Sequence, residues 1–180
     1  MTSLHAVNDL RTELERLINE SLRSMLTADS DTRFRLRTEM QTLIWVANKI
    51  SIVQHTVVDK VKDAATDAAV GKESHVYLRH THKYSSYIPE VDYDEMLYIL
   101  RKRLQYLVRY EFDLARKWVV TFNLPTRVHE CMEVVDKYML FAEKLDLLTE
   151  YDIEHTRKVQ NACLAGNFSL NTIKYHLDGK

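Results

Sequence analysis

A chain of 180 residues, 46% hydrophobic and 28% charged, is long enough for one proper core, and a compact chain of this size buries roughly 70% of its unfolded surface. Its 26 acids and 25 bases leave a net charge of −1, which excludes a global attraction to nucleic acid or anionic membrane; any such attraction must be local. Three glycines and two prolines are too few for the turns and phosphate loops of an all-β or α/β protein, so the composition predicts an all-α fold.

In chain order, residues 4–26 place Leu4, Val7, Leu10, Leu14, Leu17, Ile18, Leu22, Met25 and Leu26 at helical spacing, with Ser3 as an N-cap. The stretch TADSDT (27–32) is turn-forming and supplies caps for the next element. From Arg33 to Val70 there is no Gly or Pro, and Leu36, Met40, Leu43, Ala47, Ile50, Gln54, Val57, Val61, Ala64 and Ala68 alternate steps of four and three. That heptad pattern predicts one helix about 57 Å long. Its interior, ISIVQHTVV, is β-branched enough for a strand, but the unbroken seam argues for helix. The seam, with Leu43, Ile50, Gln54 and Val57 at its centre, is expected to make a homo-oligomer, the single amide of Gln54 fixing register.

Gly71 ends that helix, and 72–91 is a connector expected to project as a contact surface. Asp92 with Glu95 reads as a capping box opening a helix over 92–123, which Pro125 breaks. A helix over 126–147, a fifth from Thr149 to Cys163 and a short last one in SLNTIKYHL complete the chain. The expected architecture is a single domain, 1–180: an elongated bundle of about six helices with two long ones, comprising a long-helix hairpin (3–70), the connector and a C-terminal bundle (92–178).

On the 92–123 helix, Leu97, Leu100, Leu104 and Leu107 form a seam that drifts by one position to Val108, Phe112, Ala115 and Val119, leaving Glu111 beside the core. Residues 96–117 hold six bases against Glu111 and Asp113, while 128–154 hold eight acids against Lys137 and Lys144. A short turn between these runs makes them antiparallel neighbours whose charges can complement each other.

The connector holds the unusual chemistry, HVYLRHTHKYSSYIP at 75–89. His75, His80 and His82 are the residues that could ligate a metal, but no carboxylate lies between Glu73 and Glu90 and the spacing matches no metal motif. No metal or other cofactor is expected. Read as a nucleic-acid arm, Arg79 and Lys83 would contact phosphates, and Tyr77, Tyr84 and Tyr87 would stack on bases. Lys102, Arg109 and Arg116, seven residues apart, would extend that surface along one helix face. Cys131 and Cys163 lack CxxC or zinc-ribbon spacing and read as reduced, partly buried thiols.

No Gly-rich phosphate loop, GxSxG, HExxH or EF-hand pattern is present, and the Asp152/His155 pair has no second copy on another long helix. SLNTIKYHL is similar to the opening of the LuxR-type recognition helix at Ser169, Thr172, Ile173, Lys174, His176 and Leu177. Only Gly166, Asn167 and Phe168 precede Ser169, too few for the helix and turn that motif requires, so membership does not follow. With no signal-peptide pattern and no apolar run long enough to span a membrane, a cytoplasmic protein is expected. Its expected role is a non-catalytic, self-associating interaction or assembly protein with a protein partner, of the kind found among viral accessory and virion components. The alternatives are a nucleic-acid-binding regulator and, third, a metal-dependent helical enzyme.

Overall fold

The computed structural model describes residues 3–78 and 93–169, which form six α-helices and no strand. These are α1 (Ser3–Met25), α2 (Ser30–Lys49), α3 (His55–Ala69), α4 (Tyr93–Val120), α5 (Val128–Lys144) and α6 (Glu150–Leu164), with a 3₁₀ turn at Pro125–Arg127. The chain divides into two compact units, Met1–Tyr98 and Ile99–Lys180. The fold class is all-α, as the composition predicts. The short last helix expected in SLNTIKYHL and most of the connector lie outside the described residues.

In the first unit α1, α2 and α3 pack on one another. Val7, Leu14, Ile18, Leu22 and Met25 recur at helical spacing along α1, and all are buried. The turn residue Asp29 caps α2, its carboxylate accepting the Thr32 backbone N–H at 2.7 Å. That bond and the Thr32 hydroxyl hold the Asp29 carboxyl below its ordinary range.

The single helix expected over 33–70 is two helices. α2 stops at Lys49 and α3 starts at His55. Ser51 adopts a left-handed backbone (φ 67°), the Ser51 N–H donates to Asn48 O, and the Ile52 N–H reaches back to Ala47 O at 3.0 Å. This is the Schellman arrangement that ordinarily recruits glycine, here made by serine. It is repaid by burial: Ile50, Ile52 and Val53 are buried, and Arg11 Nε donates to Ile52 O at 2.8 Å. Folding back lets the two halves of the seam bury within one unit, whereas a straight helix about 57 Å long would leave much of it in water. α3 ends in the same motif with glycine, Lys72 N–H to Asp67 O at 2.9 Å and Gly71 at φ 83°.

The sign of one substitution separates the broken helix from a continuous one. Ser51→Gly removes a left-handed penalty of about 1–2 kcal/mol and adds a smaller unfolded-state entropy cost, for a net gain of about 0.5–1 kcal/mol. In a helix interior the same change costs about 0.5 kcal/mol. Urea denaturation of Ser51→Gly is expected to show the midpoint rising.

The second unit joins most of α4 to α5 and α6. Leu104, Val108, Phe112 and Ala115 are buried and Glu111 is half-buried beside them, so the seam drifts as the pattern predicts. Arg101 Nε donates to Leu147 O at 2.7 Å, and Gln105 Nε2 to Asp152 Oδ2 at 3.4 Å. Thr149 caps α6, accepting the Asp152 N–H. The α5 acids Asp136 and Glu143 meet Arg157 of α6 at 2.6 and 3.7 Å. For those two acids, the complement expected from α4 is supplied by α6.

Candidate functional site

The connector's described part does not project. Residues 74–78 run extended against α1 and α3. The Asn19 side-chain amide pairs with both backbone groups of Val76: its Oδ1 accepts the Val76 N–H at 2.8 Å, and its Nδ2 donates to Val76 O at 2.9 Å. Glu15 Oε1 accepts the Leu78 N–H at 2.8 Å. Val76 and Leu78 are buried, while Tyr77 is 70% exposed with its ring 4.4 Å from that of His75. Arg11, Glu15 and Asn19 are thus a ladder of buried polar side chains, one per turn of α1, each satisfying irregular backbone that no secondary structure pairs.

His75 is exposed, with Nε2 3.2 Å from Asn19 Nδ2. His80, His82, Arg79, Lys83, Tyr84 and Tyr87 lie outside the described residues. Among the described residues no group of three His, Cys, Asp or Glu side chains is placed to hold a metal ion. The oligomerisation residues are placed inward: Leu43, Ile50 and Val57 are core residues of the first unit, and Gln54 is the half-buried N-cap position of α3. The seam is therefore covered from within the chain.

In the second unit, Lys102 is exposed and Arg109 half-buried on the outward face of α4, with Tyr106 and Tyr110 exposed beside them. Arg116, the third base of the expected stripe, donates through Nε to Phe168 O at 3.3 Å. Sequence reasoning missed the end of this helix. Val120, Phe122 and Leu124 are 62%, 53% and 44% exposed, Trp118 and Phe122 pack with ring centroids 5.3 Å apart, and the Arg127 guanidinium sits 5.3 Å over the Trp118 ring. The available signal was an uncharged run from Trp118 to Thr126 between Lys117 and Arg127, but exposure cannot be read from such a run. Comparison with protein-family models, curated proteins and solved structures finds no match to this chain. No helix among the described residues is long and apolar enough to cross a membrane.

Both cysteines are free and buried. Burial, then the Glu111 carboxylate that accepts from its thiol, pushes Cys131 up to about 12; burial pushes Cys163 up to about 11. Burial followed by Glu111 likewise pushes Tyr138 up to about 12. A raised acid pKa keeps the neutral form in the fold, so this stability is present below the unfolded thiol value of 9.0 and is lost as pH rises from there toward 12. Both thiols are expected to resist an aromatic disulfide reagent at pH 8 until denaturant is added, and the urea midpoint to fall above pH 9. Rapid native-state labelling would contradict that placement.

Asp152 and His155, the carboxylate–imidazole pair singled out in the sequence, serve packing. Asp152 is buried on Gln105, and His155 stacks on Tyr151 with centroids 5.7 Å apart.

Proposed function

We propose that this protein is a non-catalytic interaction and assembly protein that self-associates through the apolar end of α4. The supporting observation is the cluster of Val120, Phe122 and Leu124, exposed together beside the Trp118–Phe122 pair. Exposed apolar and aromatic side chains gathered in one place are the usual chemistry of protein contact centres. A second copy suits the cluster because residues 118–126 carry no charge and Arg127, seated over the Trp118 ring, is paired within its own chain by Glu130 at 3.1 Å, so like-charge repulsion between two copies is reduced. The assembly should therefore persist in high salt, unlike one held by ion pairs.

Sedimentation velocity of the full chain tests this reading. The expected result is a concentration-dependent dimer or higher oligomer at tens of micromolar, unchanged by salt, with Phe122→Asp giving folded monomer. Strictly monomeric wild-type protein at that concentration would remove the reading.

A second reading is favoured by Tyr106 and Tyr110, which flank Arg109 on the outward face of α4, with Lys102 about two turns from Arg109. Interleaved aromatics and bases suit single-stranded nucleic acid, through stacking and phosphate contact. Weak, sequence-independent gel shifts that fade steeply with salt and vanish in Lys102→Glu/Arg109→Glu support it. The absence of any shift at low salt would end it.

A further inference from the structure

The segment 74–78 is seated in the manner of a ligand. We propose that the α1–α3 face of the first unit is a binding site for an extended peptide carrying aliphatic side chains two residues apart, and that Val76–Leu78 is its built-in occupant.

The geometry reads the backbone before the side chains. Glu15 and Asn19 are four residues apart on α1, about 6 Å along the helix axis. The amides they bind, Leu78 and Val76, are two residues apart on an extended chain, about 6.6–6.8 Å. The two repeats are nearly commensurate, so α1 presents polar side chains where a neighbouring strand would present peptide groups. The occupant runs antiparallel to the helix, Val76 on Asn19 and Leu78 on Glu15. This is the logic of β-strand addition, with side chains substituting for the sheet edge.

A connector packed against helices needs its buried backbone groups paired, and here that pairing comes from the side chains of one helix. Here an amide only 6% exposed and a carboxylate only 5% exposed are committed to peptide N–H and C=O groups, which every non-proline sequence offers. Selectivity then falls to the two buried aliphatic side chains and to the His75 ring 3.2 Å from Asn19 Nδ2, the residue between the aliphatics pointing outward as Tyr77 does. Clefts of about 350 and 330 Å³ flank the segment, one lined by Lys60, Asp63 and Asp67 of α3 and the other by Leu22 and Arg23 of α1. They leave room for larger side chains at the positions of Ser74 and His75.

A tethered occupant competes at an effective concentration on the order of millimolar. A free peptide must therefore bind wild-type protein weakly, and bind tightly once the tether is displaced. The test uses a fluorescent peptide of the sequence Ser-His-Val-Tyr-Leu and the full-length chain carrying Val76→Asp/Leu78→Asp. The expected result is saturable binding at least about tenfold tighter than to wild type. Adding Asn19→Leu should abolish it, as should Asp at the valine of the peptide. A folded double variant that does not bind the peptide, or binds it equally with Asn19→Leu, overturns the proposal. Hydrogen exchange on the wild-type chain decides independently if the variant fails to fold. Millimolar unlabelled peptide should accelerate exchange of the Val76 and Leu78 amides while those of Leu14 and Ile18 stay protected, and unchanged exchange overturns the proposal.

Discussion

Asn19→Leu is expected to destabilise the protein by about 2–6 kcal/mol, although leucine matches asparagine in heavy-atom count and branching. The substitution strands the Val76 N–H and C=O, both bonded to one amide within 3 Å. Each buried group left unpaired costs about 1–3 kcal/mol. Asn19→Asp keeps the bond from Val76 N–H but turns a buried carboxylate oxygen toward the Val76 carbonyl oxygen, so its loss should be at least as large. Urea denaturation followed by circular dichroism reads both. A midpoint unmoved by Asn19→Leu would mean that the ladder on α1 does not hold the extended segment.

Ile50→Glu is expected to unfold the first unit. Ile50 has no exposed surface, and it sits where α2 turns back toward α3. The loss combines the burial of a large aliphatic side chain, about 1.5–3 kcal/mol, with several more for forcing a carboxylate into the apolar core. A protein of ordinary stability, about 5–15 kcal/mol, is left marginal or unfolded. The outcome matters because a seam between chains would give a different one: folded, soluble monomer. Far-ultraviolet circular dichroism with size-exclusion chromatography separates the two, and a folded monomer would restore the heptad seam as an interface.

What was legible in the sequence is what depends on neighbours a few residues apart. The faces of α1 and α4, the caps at Asp29 and Thr149, and the drift of the α4 seam past Glu111 follow from spacing and side-chain type. The break at 50–54 was not legible, because the usual punctuation is absent: the left-handed residue is Ser51, and the backbone it frees is paired by Arg11, 41 positions away. A heptad count passes through such a turn unchanged, since both halves bury the same positions against a common core. The ladder was hidden for a related reason. Glu15 and Asn19 look like ordinary polar members of an amphipathic helix until their partners arrive from 63 and 57 residues further on. The apolar end of α4 was hidden because composition alone cannot tell a buried Phe122 from an exposed one.

The same contrast decides where association occurs. If the heptad residues are internal and the end of α4 is the contact, concentration should change solvent access at one place and leave the other alone. Hydrogen exchange of the full chain at roughly 1 µM and roughly 100 µM measures this directly, since amides covered by a partner slow while the rest keep their own opening free energies. The account predicts slowed exchange at 119–126 in the concentrated sample and no change at 43–57. Concentration-dependent protection at 43–57 instead, or oligomer without any change at 119–126, would contradict it.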